Sequence, residues 1–416
     1  METVKIIILL AYFVSLFFII FWLLVFVDKG AEDRKKTIRK YPLVSICIPA
    51  YNEEKNISET ILSILEMDYP KDKMEILVVD DGSKDRTSEI VKSIIKKNAE
   101  FNIRLLRQHN QGKAVAMNNG LKIASGEFFV SLDGDSIVSK DALKNLLPHF
   151  EKGIVAVLPL ITVQKRDTLM QKLQYCEYLI NFFYKRLMCN LNCIHVTPGP
   201  FSVYRADILR KVGGFDENNL VEDLEMALRL QKRNYKVKQV LLANVETKAP
   251  ADFFSYYKQR NRWYKGSVIN LVDKKYRGMI LNPKYGDLGI FQLPMIFISA
   301  MLSITLFVIF IWLMILKPLF NRIYNLSFVK FDFIPLAHKS IINAKIMDIN
   351  LSSLFYGIAI FTIVFIFVCL AFRHTRRSLK QNFKSLLVYF LVYPAIIGII
   401  WIGVVFDILR GKVQKW

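Results

Sequence analysis

Three acidic stations and one basic aromatic cluster carry the chemistry of this sequence. Asp80-Asp81, Asp133-Gly134-Asp135 and Glu222-Asp223 each sit at or just beyond the end of an apolar run, and Gln259-Arg260-Asn261-Arg262-Trp263 follows them. Carboxylates delivered by strand ends into one crevice are what an open α/β sheet offers a nucleotide and its metal. Asp133 and Asp135 stand at i and i+2 on extended chain, so both point to one side, and Gly134 keeps the path between them clear. A hard cation such as Mg²⁺ or Mn²⁺ takes one or two such carboxylates and completes its shell with substrate phosphate oxygens. There it would steady a leaving diphosphate.

The other motifs fit that chemistry. Asp81 is suited to accept the imide N–H of uracil, since a carboxylate makes the stronger, charge-assisted bond. Asp-Gly at 81–82 also reads as a turn, with Asp85 capping the next helix. Pro49 closes a short strand before Tyr51-Asn52-Glu53, where Asn52 reads as a helix cap. Gln111-Gly112-Lys113 opens a helix, a modest phosphate signal that is weaker than a full P-loop. Glu222-Asp223 starts a helix with Leu224, Ala227 and Leu228 on one face, and the helix dipole favours acids there in any case. Pro198-Gly199-Pro200 makes a rigid turn. In the last cluster Arg262 is a bidentate donor fit for a pyrophosphate. Trp263 offers a flat apolar face to an acceptor sugar. The stretch also reads as an amphipathic interfacial helix, because Phe253, Tyr256, Tyr257, Trp263 and Tyr264 crowd it among basic residues.

In this order, and ending in Gln-Arg-x-Arg-Trp, the motifs resemble those of the membrane-embedded, processive family 2 glycosyltransferases, the group of the cellulose, hyaluronan and poly-N-acetylglucosamine synthases. The resemblance covers roughly residues 43 to 270 by motif and the rest by membrane layout. It implies that Tyr51 lies along the nucleotide base and that Glu53 contacts uracil or ribose. It implies that Lys113 approaches the diphosphate, with Asn118 one turn on, and that Asp133 and Asp135 form the Asp-x-Asp metal site. Gly199 and Pro200 would then line the acceptor, and Asp223 would be the general base, with Glu222 and Gln259 in the same catalytic group. The implied fold is a GT-A-type doubly wound, mostly parallel sheet embedded between transmembrane helices.

The elements that must position these residues are legible as an alternation. Short apolar runs at Leu43–Ile48, Ile76–Val79, Ile103–Leu106 and Phe128–Leu132 predict strands. Helical stretches near 54–65, 85–97 and 113–124 separate them, which implies βαβ units and a parallel sheet covered on both faces.

Around this core the chain is apolar at both ends. Of 416 residues, 53% are hydrophobic, and the mean hydropathy is +0.29. Residues 6–27 are long enough to cross a bilayer and too long for a cleaved leader. Three further runs lie at 290–317, 352–372 and 385–408, the last with Pro394 near its middle, where a kink or a split is expected. The division expected is a membrane helix at 1–28, a cytoplasmic catalytic domain at 29–275 with an interfacial helix near 252–273, and a membrane region at 276–416.

A formal charge of +21 invites a nucleic-acid partner, but the basic residues form no single stripe. Lys29, Arg34, Lys35, Lys36, Arg39 and Lys40 follow the first span, and Arg373, Arg376, Arg377, Lys380 and Lys384 lie between the last two. Such flanks obey the positive-inside rule and place the domain in the cytoplasm of a multi-pass cell-membrane protein. The tail Arg410-Gly411-Lys412 with Lys415 fits badly, because four simple crossings would leave it outside. The five cysteines lack metal-site partners and read as free thiols of a reducing compartment.

The reading is an inverting, metal-dependent enzyme that adds sugar from a UDP-sugar, UDP-N-acetylglucosamine or UDP-glucose, to a β-linked polysaccharide and translocates it. Its partners are the donor, a polysaccharide or glycolipid acceptor and membrane lipids, without nucleic acid; no accessory subunit is legible. Transfer of one sugar to a lipid, as in ceramide glucosyltransferases, is the second enzymatic reading, and a silent membrane scaffold is the non-enzymatic one.

Overall fold

The computed structural model describes residues 2–411 apart from 32, 34 and 329–350, so Arg34, Lys412 and Lys415 of the expected basic flanks lie outside the described residues. The four apolar runs become β1 (Val44–Ala50), β2 (Met74–Asp80), β3 (Asn102–Arg107) and β4 (Phe128–Ser131). β2 is buried at every position and β1 at all but one, which is why both read as unbroken apolar runs rather than alternating ones. β1 lies between β2 and β4 and is parallel to both. Their carboxyl ends therefore open on one edge, and that edge receives Glu53, Asp80-Asp81 and Asp133-Asp135.

The sheet continues beyond the expected half. β5 (Ile137–Val138), β6 (Ile154–Val163), β7 (Ser202–Arg205) and β8 (Lys236–Thr247) complete the order β3-β2-β1-β4-β7-β6-β8-β5. β7 runs antiparallel to β4 and to β6, whereas β6 and β8 are parallel, so the sheet is mixed with a doubly wound parallel half. Helices Ile57–Leu65, Thr87–Lys97 and Lys113–Ile123 fall where the alternation predicts them. The expected cap is a correction. Asn52 adopts a left-handed φ of 56° and its side chain accepts the N–H of Lys84, so it joins two loops instead of capping a helix. Asp85 accepts the N–H of Thr87 at the next helix start and that of Glu54 across the crevice.

Among the described residues, four helices are long and apolar enough to cross a membrane. Glu2–Lys29 and Leu351–His374 run in the same direction, since Tyr12 meets Tyr356 (6.3 Å between rings) and Phe26 meets His374 (5.2 Å). Their basic ends emerge together, as the charge pattern requires. The last helix, Leu379–Leu409, continues unbroken through Pro394. It is about 45 Å long, yet it touches the domain half from end to end. Asn382 meets Arg166 (3.5 Å), Trp401 stacks on Tyr264 (4.9 Å), and Asp407 pairs with Lys265 (3.4 Å). It also packs on helix Leu293–Ile311, where Gly398 lies against Phe307.

The expected interfacial helix is Phe253–Val272, capped by Asp252 accepting the N–H of Ser255. It is tied to helix Leu169–Asn190 by Arg260, wholly buried, whose Nη2 lies 2.8 Å from Glu177 Oε2. The guanidinium also lies over the rings of Trp263 (4.0 Å) and Tyr256 (4.9 Å). Removing one member of a buried ion pair strands the other charge, at a cost of about 3–5 kcal/mol. Glu177→Ala should therefore lower the thermal unfolding midpoint of the purified protein markedly, and Glu177→Gln, which still accepts a hydrogen bond, should lower it less. Equal midpoints for wild type and Glu177→Ala would show that this pair does not hold the helix.

Candidate active site

The site begins at the end of β2. Asp80 accepts the backbone N–H of Ser83 and the hydroxyl of Ser88 and faces Arg107. Burial alone would raise its pKa, but the two serines and the arginine outweigh it and hold the carboxyl below its ordinary value. Asp80 is thus spent on the turn. Asp81, also buried, accepts the Gln108 side chain (2.8 Å) and the backbone N–H groups of Gln111 (2.9 Å) and Gly112 (2.8 Å). A carboxylate offers about four lone-pair sites, so about one remains for a ligand. Gly112 has φ +95°, a left-handed conformation that favours glycine, and it caps the helix that starts at Lys113.

Lys113 then joins two stations. Its Nζ lies 2.6 Å from Asp133 Oδ1 and 3.3 Å from Glu222 Oε1. Burial works against the ammonium, but Asp133, Glu222 and Asp223 outweigh it and raise its pKa above the usual lysine value. The Pro198–Pro200 turn closes over this pair. A Cβ on Gly199 would stand 2.6 Å from Lys113 Nζ and 2.9 Å from both Asp133 carboxylate oxygens, so a larger residue would force these side-chain ends to move.

Carboxylates crowd the neighbouring strand ends. Asp135 is pushed up to about 6, first by burial and then by the charges of Asp133 and Glu53. Glu53 is raised by burial, against the hydrogen bond it accepts from Asn56 (2.6 Å), with Asp133 adding to the rise. Among the described residues no three His, Cys, Asp or Glu side chains converge into a metal cage. A cation that takes one or two carboxylates plus phosphates needs none. The residues fit such an ion, because Asp133, Asp135 and Glu53 stand close enough for their charges to add to the rise that burial causes.

Helix Glu222–Lys232 brings the third station. Asp223 is pushed up to about 6 by burial and by Glu222, with Lys113 and Lys185 opposing. Thr197 pins this point by donating its N–H (3.2 Å) and hydroxyl (2.8 Å) to the Asp223 carbonyl. Helix Phe253–Val272 closes over the same start, with Gly266 so near Val221 that a Cβ would collide with it. Arg262 is lowered by burial, while Glu222, Asp223 and Asp133 act to raise it, so it stands in the field of all three acids.

Lys113, Asp133, Glu222 and Gly199 are thus in direct contact, with Glu53, Asp135, Asp223 and Arg262 around them. Tyr51 is 44% exposed, and Tyr51, Pro200, Gln259 and Trp263 form no described hydrogen bond or ion pair with these acids. Trp263 has one face under Arg260 instead. No motif signals Lys185, lowered to about 8 by burial with Asp223 opposing, or His195, lowered to about 4 by burial and then by Lys185. Only the fold brings Lys185 near Asp223 and His195 near Lys185.

Comparison with known proteins agrees with this geometry. Residues 45–213 match the family model described as Glycosyl transferase family 2, so the chain carries a domain of that family. The chain is 31% identical over 226 residues to a poly-beta-1,6-N-acetyl-D-glucosamine synthase of Staphylococcus epidermidis, 54% of either chain. It is 31% identical over 227 residues to the enzyme of that name from Staphylococcus aureus (strain COL), again covering 54% of each. It therefore spans about half the length of the curated relatives it matches. Among solved structures, a mannosyltransferase from Pyrobaculum calidifontis, in complex with GDP-Man and Mn²⁺, superposes with a TM-score of 0.56 at 20% identity. The superposition covers 72% of this chain and 80% of that one. That likeness shows the fold, the GT-A-type sheet expected from the sequence.

Gly199→Ala should push Lys113 off Asp133, and a displacement of this size at reacting groups costs about a hundredfold in turnover. Release of nucleotide from a sugar nucleotide by the purified variant measures it. Turnover equal to wild type would mean that the turn does not bear on the site.

Proposed function

We propose that this chain, whose residues 45–213 form a family 2 glycosyltransferase domain, transfers sugar from a UDP-sugar to a growing β-linked polysaccharide and passes the product along its membrane helices. The observation that carries the reading is the Lys113 ammonium between Asp133 and Glu222. It sets the donor's phosphate site beside the Glu222-Asp223 pair, where an acceptor would lose its proton. The likeness to poly-beta-1,6-N-acetyl-D-glucosamine synthases supports UDP-N-acetylglucosamine as donor.

The chemistry is a one-step inversion. The acceptor oxygen bonds to the anomeric carbon, the bond from that carbon to the diphosphate oxygen breaks, and UDP leaves. Asp223 takes the hydroxyl proton. Mg²⁺ or Mn²⁺ held by Asp133 and Asp135 would supply charge to the diphosphate. Lys113 and Arg262 add fixed positive charge on the same side, and Asp81 has one acceptor site left for the uracil imide. Four apolar helices and the paired basic ends support a multi-pass cell-membrane protein with its domain in the cytoplasm.

Purified protein offered a panel of UDP-sugars tests the proposal, with linkage analysis and a sizing gel on the product. Long chains support polymerisation. A glycolipid carrying one sugar would favour the single-transfer reading, and no sugar transfer at all would leave a scaffold. Asp223→Asn should keep UDP binding and lose at least about a hundredfold in transfer. The base form of Asp223 exists above its raised pKa, so transfer should rise with pH through about 6 and level off above it. A rate flat from pH 5 to 8 would reject the assignment. Arg262→Ala should slow UDP-sugar hydrolysis and elongation alike, whereas Trp263→Ala should suppress elongation more. Proportional losses in both variants would remove the division of roles.

A further inference from the structure

Away from these acids, a second polar cavity opens where two of the apolar helices end. It holds about 250 Å³ between Arg373, His374 and Arg376 on one wall and Leu241 and Leu242 on the other, with Ala31 and Asp33 at its back. Helices Glu2–Lys29 and Leu351–His374 run in the same direction and finish together at this point, on the side of the catalytic domain. The cavity is smaller than the roughly 300–1,000 Å³ of a pocket for a drug-sized ligand or cofactor.

Its charge is one-sided. The single acid, Asp33, is already committed, with Oδ1 to Arg186 Nε (2.9 Å) and Oδ2 to the backbone N–H of Leu241. Arg373 and Arg376 are exposed and form no ion pair among the described residues. His374 is fixed by stacking on Phe183 (5.6 Å) and by the edge of Phe26 (5.2 Å). The wall that carries the arginines is therefore held rigid.

A second observation is conformational. Helix Leu351–His374 ends with Arg376 N–H to the Arg373 carbonyl (3.1 Å) and Arg377 N–H to the Phe372 carbonyl (2.9 Å). This closing turn places Arg376 at φ +56°, where helices usually carry glycine or asparagine. Arginine there is strained, and strain held in place by its surroundings gathers at ligand sites. The helix dipole favours Arg373 at this end, but it asks nothing of the residue in the left-handed position.

We propose that this cavity binds the phosphate of an anionic phospholipid in the leaflet that faces the catalytic domain. Arg373 and Arg376 would take the phosphodiester, and Leu241 and Leu242 would border its glycerol and ester region. Because Asp33 ties the same wall to Arg186 on helix Leu169–Asn190, the bound lipid fixes the domain against the membrane surface. The proposal rests on the membrane reading of the apolar helices and is independent of the sugar transferred.

Full-length protein in a zwitterionic detergent is titrated with phosphatidylglycerol, phosphatidylcholine or inorganic phosphate while its unfolding midpoint is followed. Phosphatidylglycerol should raise the midpoint, and the other two should not. Arg373→Gln and Arg376→Gln should each weaken the apparent phosphatidylglycerol affinity about fivefold, the worth of one cation beside an anionic surface. Arg376→Gly should raise the midpoint without lipid, by relieving the strained turn, and lose the same fivefold in affinity. A variant that merely folds badly cannot give that result. Equal responses to phosphatidylglycerol and phosphatidylcholine, or unaltered affinity in the arginine variants, would overturn the site. A response to inorganic phosphate that matches phosphatidylglycerol would assign the cavity to a soluble anion and overturn the lipid.

Discussion

Like charges set the terms for this molecule. Carboxylates from β1, β2, β4 and the Glu222 helix open on one edge, and two unit charges about 4 Å apart repel by about 4 kcal/mol near a protein surface. The Lys113 ammonium makes the arrangement tenable by touching Asp133 and Glu222 together. Its placement depends on a chain of small requirements. Asp81 gathers the 108–112 loop, Gly112 turns it in the left-handed region, and Gly199 leaves the space the ion pair needs. At Asp135 and Glu53 burial and the neighbouring carboxylates still raise the pKa, with the lysine opposing at Asp135. A divalent ion with a diphosphate would settle that remainder.

The fold serves this edge by dividing its labour. β1, β2 and β4 are parallel neighbours, so their ends arrive together without further help. The Glu222 helix comes from the far half of the sheet and has to be pinned separately, which Thr197 and the Gly266–Val221 contact accomplish. Helix Phe253–Val272 therefore has two obligations. It closes the site, and through Arg260–Glu177 and Lys265–Asp407 it also anchors the last apolar helix to the domain.

Much of this was legible because the determinants are local. A buried parallel strand is an unbroken apolar run, and an acid after such a run must lie at a strand end, so β1, β2, β4 and the first two stations could be read directly, and the third could be read as acids at a helix start. Four things could not. β6 and β8 lie in the far half of the sheet, and no pair of acids follows either of them as it follows β2 and β4. Asp80 and Asp81 look alike in sequence, and only the donors around them make one a turn anchor and the other the holder of the Lys113 loop. Glu75, also acidic and buried, is wholly structural, held by Ser45, Ser125 and Arg104. Lys185 approaches Asp223, and His195 approaches Lys185, from elements distant in sequence, and no spacing rule reaches across a fold.

The Gln259–Trp263 motif shows how helical geometry turns one short stretch into two sites. Residues three or four apart share a helix face, and those two apart point about 200° from one another. Tyr256, Arg260, Trp263 and Tyr264 accordingly fall on the face toward Glu177, Tyr393 and Trp401. Arg262 and Gly266 fall on the opposite face, toward Glu222 and Val221. Gln259, three residues from Tyr256 and Arg262 and four from Trp263, stands between the two sets, and its buried Oε1 has no hydrogen-bond partner among the described residues. The motif is therefore specific in sequence because both faces constrain it at once. Arg260 is fixed by a buried carboxylate and two aromatic rings, and Arg262 by the field of the acids. Trp263 belongs to the anchoring face and has only the ring face turned from Arg260 to offer an acceptor.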